Sequence, residues 1–129
     1  MYRRGTVVVA SDPFGNAPRR PYLIVSDGSH PFAGAQYIGA GISTKEYDAS
    51  VPLAGAFVEG GLDRESFVEG GLDRESFVEG GLDRESFVAP WAVVSLREAT
   101  VDRAVARVED DVTETTVRRL VQFVGYSGG

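Results

Sequence analysis

Apolar residues in this chain fall into short runs set off by turn residues, and only one stretch follows helical spacing. Thr6 to Ala10 is a valine-rich run and Tyr22 to Ser26 a second one; Ser11 to Pro21 between them holds three prolines and reads as a loop. Gln36 to Ile42 predicts a third strand thinned by glycines, and Ser50 to Leu53 a fourth. Ser86 to Leu96 predicts a long fifth that Pro90 bends or leaves at a sheet edge. Arg103 to Glu109 sets Ala104, Ala106 and Val108 in alternation with Arg103, Val105 and Arg107, the period of a half-exposed sixth strand. The helical stretch is Val112 to Val124, with Val117, Leu120, Val121 and Val124 on one face. Asp111 and Glu114 are spaced as a capping box, and Gly125 follows as a stop. Short strands followed by one terminal helix predict a mainly β fold, a small antiparallel barrel closed by that helix.

Residues 57–66, 67–76 and 77–86 are identical, and Phe87-Val88 begins a fourth copy that turns into Ala-Pro-Trp. Identity this complete indicates a recent duplication or an engineered one. Solenoid repeats have periods of about 20 residues or more, and calcium-binding β-rolls need Gly-Gly-x-Gly-x-Asp at a period of about nine. This unit has neither, and its Gly-Gly turn flanked by Ser-Phe-Val-Glu and Leu-Asp-Arg-Glu has the composition of a hairpin tip. Removing two ten-residue copies from the 129 leaves a framework of 109. One domain over 1–129 is therefore expected, with the surplus copies as an extruded loop or an extra hairpin. Any copy can serve as the arm leading into the fifth strand, since a shift of ten preserves facing.

Composition narrows the chemistry. There is no cysteine and His30 is the single histidine, so disulfides, thiolate metal sites and His-rich zinc clusters are excluded. The apolar runs fall far short of the roughly 20 residues of a membrane-spanning helix, and the start reads as a strand and turn, so a cytoplasmic protein is expected. Each repeat carries three acids and one base, so the two surplus copies supply four of the six net negative charges. The first thirty residues hold Arg3, Arg4, Arg19 and Arg20 against Asp12 and Asp27, a local positive excess on which a phosphate backbone can dock.

Arg4-Gly5-Thr6-Val7, Asp12-Pro13, Gly15 and Arg20-Pro21 leading into Leu23-Ile24-Val25-Ser26 resemble the opening of the PemK/MazF family of toxins. Gly41-Ile42-Ser43-Thr44 is similar to the family's strand end, and Ser50-Val51-Pro52-Leu53 to its next strand. Gly81-Leu82-Asp83-Arg84-Glu85-Ser86-Phe87-Val88 is similar to its turn into the fifth strand, and Val112 to Val124 to its closing helix. The likeness spans nearly all of the 109-residue framework and rests on order and spacing together. It implies an SH3-like barrel with a C-terminal helix. It further implies a homodimeric endoribonuclease that cuts single-stranded messenger RNA at short sequences without metal or cofactor and is silenced by a cognate antitoxin. The first loop, Asp12 to Arg20, is short and lacks the acidic and glutamine residues that family members carry there.

RNA carries its own nucleophile, the 2′-hydroxyl, so a protein need only orient the phosphate, stabilise added negative charge and move a proton. On the family pattern Arg20 is the catalytic arginine, its guanidinium forking onto the scissile phosphate. Ser43 aligns with the catalytic threonine, with Thr44 as the next choice; the competing reading of Ser43 is a hydroxyl that satisfies a strand end. Arg19 and Arg4 are candidates for holding the RNA backbone and Phe14 for stacking on a base. Trp91 is expected in the core, His30 in a turn without a catalytic role, and Glu109-Asp110-Asp111 at a helix start rather than on a metal. The alternative to a nuclease is a catalytically silent barrel that binds nucleic acid or protein, or a host domain for the repeat.

Overall fold

The computed structural model describes residues 1–13, 15, 18–60 and 85–126. Seven antiparallel strands run through them: β1 Thr6–Ser11, β2 Arg19–Ile24, β3 Gln36–Ser43, β4 Val51–Pro52, β5 Phe57–Gly60, β6 Phe87–Arg97 and β7 Val101–Val108. A 3₁₀ turn, Glu98–Thr100, links the last two strands, and one α-helix, α1, covers Asp110–Phe123. The strands form one sheet in the order β4, β6, β3, β2, β1, β7, β5. The outermost strands, β4 and β5, are separated along the chain only by residues 53–56, where the Ala56 N–H donates to the Leu53 carbonyl (3.0 Å). A sheet whose two edges are tied by so short a turn has to curl, and the result is a half-barrel with α1 packed against β6 and β4.

Both faces of the central strands are covered. Val7, Leu23, Ala40, Ile42, Val51, Leu53, Val88 and Val108 form one buried cluster together with Val112 of α1. The alternate residues Val8, Ala10, Tyr22, Ile24, Tyr37, Val94 and Leu96 form a second. This is why β1 and β2 read as continuous apolar runs rather than alternating ones. Leu23 and Ile24, neighbours in sequence, are both fully buried on opposite faces, each stabilising the fold by about 1.5–3 kcal/mol.

The structure departs from the sequence reading at several places. There is a seventh strand, β5, built from the first repeat copy, which the pattern alone had assigned to a hairpin tip. β2 begins at Arg19, three residues earlier than predicted, because Arg19, Arg20 and Pro21 continue the β1 ladder opposite Ser11, Ala10 and Val9. Pairing of β2 with β3 reaches only Tyr22, beside a proline with no N–H to give. Pro90 does bend its strand. Across β3 and β6 the register passes from Ala40↔Val93 to Ile42↔Val88, so residues 89–92 bulge over the single residue Gly41.

The expected capping box is not formed. The N-cap is Glu109, without a side-chain hydrogen bond, and Asp110 and Asp111 lie inside the first turn, where they complement the helix dipole instead. At the other end Gly125, at φ +82°, gives a Schellman closure: the Tyr126 N–H donates to Val121 O (3.1 Å) and the Gly125 N–H to Gln122 O (3.0 Å). The predicted apolar face is displaced as well. Val112, Thr113 and Thr116 are the buried residues of α1, whereas Val117, Leu120 and Val121 are half-buried and Val124 is 72% exposed. Among the described residues no helix is long and apolar enough to cross a membrane. The expectation that surplus repeat copies form an extruded loop falls on residues 61–84, outside the described residues.

Candidate functional site

Two predicted site residues, Arg20 and Ser43, lie at the same end of the β2–β3 ladder. Its paired rungs are Ile24↔Gly39, Leu23↔Ala40 and Tyr22↔Gly41. Arg20 lies two residues before Tyr22 on β2 and Ser43 two residues after Gly41 on β3, both past the last paired rung. Ala10 is paired with Arg20, and Ala10 and Tyr22 are buried in the second core cluster beneath this end of the sheet. Glycine at 39 and 41 lets neighbouring side chains pack closely there. A Cβ at Gly39 would stand 3.0 Å from Leu96 Cδ1 and 3.3 Å from Tyr22 Cβ, and one at Gly41 3.3 Å from Ala92 Cβ.

Arg20 and Arg19 differ in employment. Arg19 Nη1 is bound to Asp102 at 2.9 Å, and Asp102 is shared with Arg103 at 2.8 Å. That makes Arg19 part of a surface network at the β1–β7 side of the sheet. Arg20 forms no ion pair among the described residues. Its charge is felt by Tyr22, whose phenol is pushed up to about 12 by burial and by the nearby Asp12 carboxylate, with the Arg20 guanidinium pulling the other way. Tyr22 therefore stays protonated at neutral pH and is a donor, not a base. Asp12, itself nearly buried, and Tyr22 were not singled out from sequence, where they read as a turn residue and a strand residue.

Ser43 Oγ accepts a hydrogen bond from the Lys45 N–H at 3.0 Å, so it satisfies the strand end, and its own proton is left to donate. That same bond places Lys45, the only lysine of the chain, directly after the site; its Nζ lies 5.4 Å from the centre of the Tyr47 ring. The helix fixes this loop. Arg119 Nη1 donates to Ala49 O (3.0 Å) and Ser50 O (2.7 Å), and the Tyr47 N–H donates to Ser50 Oγ (3.0 Å). Tyr47, Trp91 and Phe123 meet edge to face, with ring centres 5.6 and 6.2 Å apart. Trp91, expected in the core, is 43% exposed in this surface cluster, because the bulge at Pro90 turns it out of the sheet. Thr44 sits in the turn between Ser43 and Lys45, half-buried.

Other candidates lie elsewhere. Arg4 stands at the start of β1, six residues from Ala10 and hence roughly 20 Å from the Arg20 end at the rise of a strand. Its Nη1 faces Glu114 of α1 at 3.5 Å. The four arginines that cluster in sequence are thus two pairs at opposite ends of the sheet. Phe14 is outside the described residues. His30 is held in a turn, its Nδ1 accepting the Phe32 N–H at 2.9 Å and its own N–H donating to Asp27 O at 3.2 Å. Among the described residues no group of histidines and carboxylates is arranged to hold a metal ion.

No family model and no curated protein matches this sequence. Solved structures do match its fold. An endoribonuclease in complex with its cognate antitoxin from a mycobacterial species aligns over 100% of both chains at a TM-score of 0.63 and 16% identity. The Mycobacterium tuberculosis toxin MazF-mt6 aligns over 95% of this chain and 99% of its own at 0.62 and 12%. A chain of a MazE-MazF crystal structure from Deinococcus radiodurans aligns over 97% of its length and 98% of this chain at 0.61 and 16%. The fold of this chain is MazF-like.

Proposed function

We propose that this chain is the toxin of a toxin-antitoxin pair, an endoribonuclease that cleaves single-stranded messenger RNA at short sequences without a metal ion. The observation that supports the reading is a MazF-like sheet in which Arg20 of β2 and Ser43 of β3 lie at the same end of the β2–β3 ladder, each two residues past its last paired rung. In the reaction the 2′-hydroxyl oxygen bonds to the adjacent phosphorus and the bond to the 5′-oxygen breaks, leaving a 2′,3′-cyclic phosphate and a 5′-hydroxyl. The proton lost by the nucleophile passes, through water, to the leaving oxygen.

Arg20 supplies a planar fork to two non-bridging oxygens and offsets the charge that builds on them. Ser43 donates its free proton to the same phosphate, and Thr44 is the neighbouring hydroxyl. The work of Arg20 is electrostatic. Tyr22, protonated near Arg20, adds no negative charge of its own, and Lys45 adds positive charge on the approach. Arg19, tied to Asp102, steadies the RNA backbone at the rim, and Phe14 offers a base-stacking ring.

The active form is a homodimer in the cytoplasm, silenced by a cognate antitoxin as the similar mycobacterial endoribonuclease is bound by its own. Residues 1–129 act as one domain into which the repeat is inserted. The test is incubation of the purified protein with end-labelled single-stranded RNA in EDTA. Discrete cuts are expected, and random degradation or none at all would refute the reading.

A further inference from the structure

At the end of the β2–β3 ladder away from Arg20, two clefts of about 370 and 410 Å³ lie side by side and share Met1, Tyr2, Arg3 and Arg107. Shared walls make them one groove, within the size range of small-ligand sites. We infer that this groove is a nucleotide-binding subsite, with Arg3 and Arg107 on the phosphate and Tyr2, Ser26 and Gln36 around the base. The choice of a ribonucleotide as ligand rests on the reading of the chain as an RNA-handling protein.

Three guanidinium groups, Arg3, Arg4 and Arg107, line the first cleft against the carboxylates of Asp27 and Asp110. Asp27 is already engaged, accepting from the Ser29 N–H at 2.9 Å and the Ser29 hydroxyl at 2.6 Å. Those bonds hold its pKa below the usual carboxylate value, with Arg4 adding to the effect. Arg4 is under-satisfied: its Nε is buried with no acceptor, and its contact with Glu114 is long and partly exposed. Buried donors normally have partners. Arg3 is exposed at the boundary of the two clefts, where a phosphate would meet it first.

The remaining wall suits a base rather than a bare anion. Tyr2 is fixed, its N–H donating to the Tyr37 hydroxyl at 3.0 Å and its ring packed on Tyr37 with centres 5.8 Å apart. The Tyr37 hydroxyl is in turn anchored on Glu98 at 3.0 Å. Ser26 Oγ accepts the Ile38 N–H at 2.9 Å and keeps its proton to give. Gln36 offers both a donor and an acceptor, the pairing that a base edge needs.

The test is a chemical-shift titration of the full chain with adenosine 5′-monophosphate, uridine 5′-monophosphate and inorganic phosphate, each at low salt. Saturable shifts are expected at Tyr2, Arg3, Ser26, Gln36 and Arg107. At least one nucleotide should bind about tenfold more tightly than phosphate. Arg3→Ala, a surface change whose fold is checked by its unaltered spectrum elsewhere, should weaken that nucleotide about tenfold, the loss of one charge-assisted hydrogen bond. No saturable shift, shifts confined to the Arg20 end, or phosphate binding as tightly as either nucleotide would overturn the inference. Cleavage is not scored, so failure here and failure of the nuclease reading are separate results.

Discussion

The two ends of the β2–β3 ladder carry the same kinds of residue and arrange them differently. At one end Arg20 forms no ion pair among the described residues, and the hydroxyl at the same end, Ser43, is held by a loop that the helix clamps through Arg119. At the other end Arg3, Arg4 and Arg107 line a groove with a fixed aromatic ring, and acids stand close by. A guanidinium without an ion pair, near a hydroxyl that keeps its proton, is suited to a phosphate that changes charge during reaction. Guanidiniums around a walled cleft are suited to holding a ligand that does not change. Charge alone does not separate binding from chemistry; the neighbours of the charge do.

The sharpest way to break this contrast is Arg20→Ala. Removing one preorganised donor to a developing oxyanion costs about 10²–10³ in rate, so cleavage of labelled RNA should fall by that factor while the melting temperature stays within a few degrees. Retention of cleavage would mean that this end does no chemistry. Next in size is the glycine between the ends. Gly39→Ala pushes a methyl group onto Leu96 and Tyr22 and should cost about 1–3 kcal/mol by denaturant unfolding. Gly28→Ala, where a Cβ meets nothing within 4 Å, should change stability by less than about 0.5 kcal/mol.

Tyr22 gives a pH test. Its pKa, about 12 when folded against 10.0 for the free group, means the folded state holds the phenol proton more tightly. The stability this contributes is complete below about pH 10 and is lost as pH rises towards 12, at about 1.4 kcal/mol per pH unit. Thermal melts between pH 9 and 12 should show that decline, and Tyr22→Phe should flatten it; an unchanged slope in the variant would place the titration elsewhere. The smallest expected effect is at the groove. Glu114→Ala removes an exposed contact of 3.5 Å to Arg4 and should cost less than about 0.5 kcal/mol, as read from urea unfolding.

Much of this was legible in the residues. The valine runs, the terminal helix with Gly125 as its stop, and the Arg-Pro and Ile-Ser-Thr segments identified the fold and its candidate site. What the residues did not display depends on pairing. Arg19 and Arg20 read as loop because Pro21 follows them, yet β1 supplies a ladder that tolerates a proline. Arg4 read as part of one positive stretch with Arg20 because sequence distance hides that a strand carries its two ends about 20 Å apart. Trp91 read as core because it is a large aromatic in an apolar run, and only the bulge opposite Gly41 reveals that it faces out. The helix cap misled for a related reason, since Glu109, not Asp111, ends the extended backbone.

The central claim is that Arg20 and Ser43 grip one phosphodiester, and a double-mutant cycle on the cleavage rate tests it directly. Groups that act on the same phosphate as a unit are strongly non-additive. If the account holds, Arg20→Ala with Ser43→Ala will cleave scarcely more slowly than Arg20→Ala alone, although Ser43→Ala by itself slows the reaction. Losses that simply multiply, or a Ser43→Ala variant as fast as the unaltered chain, would contradict it.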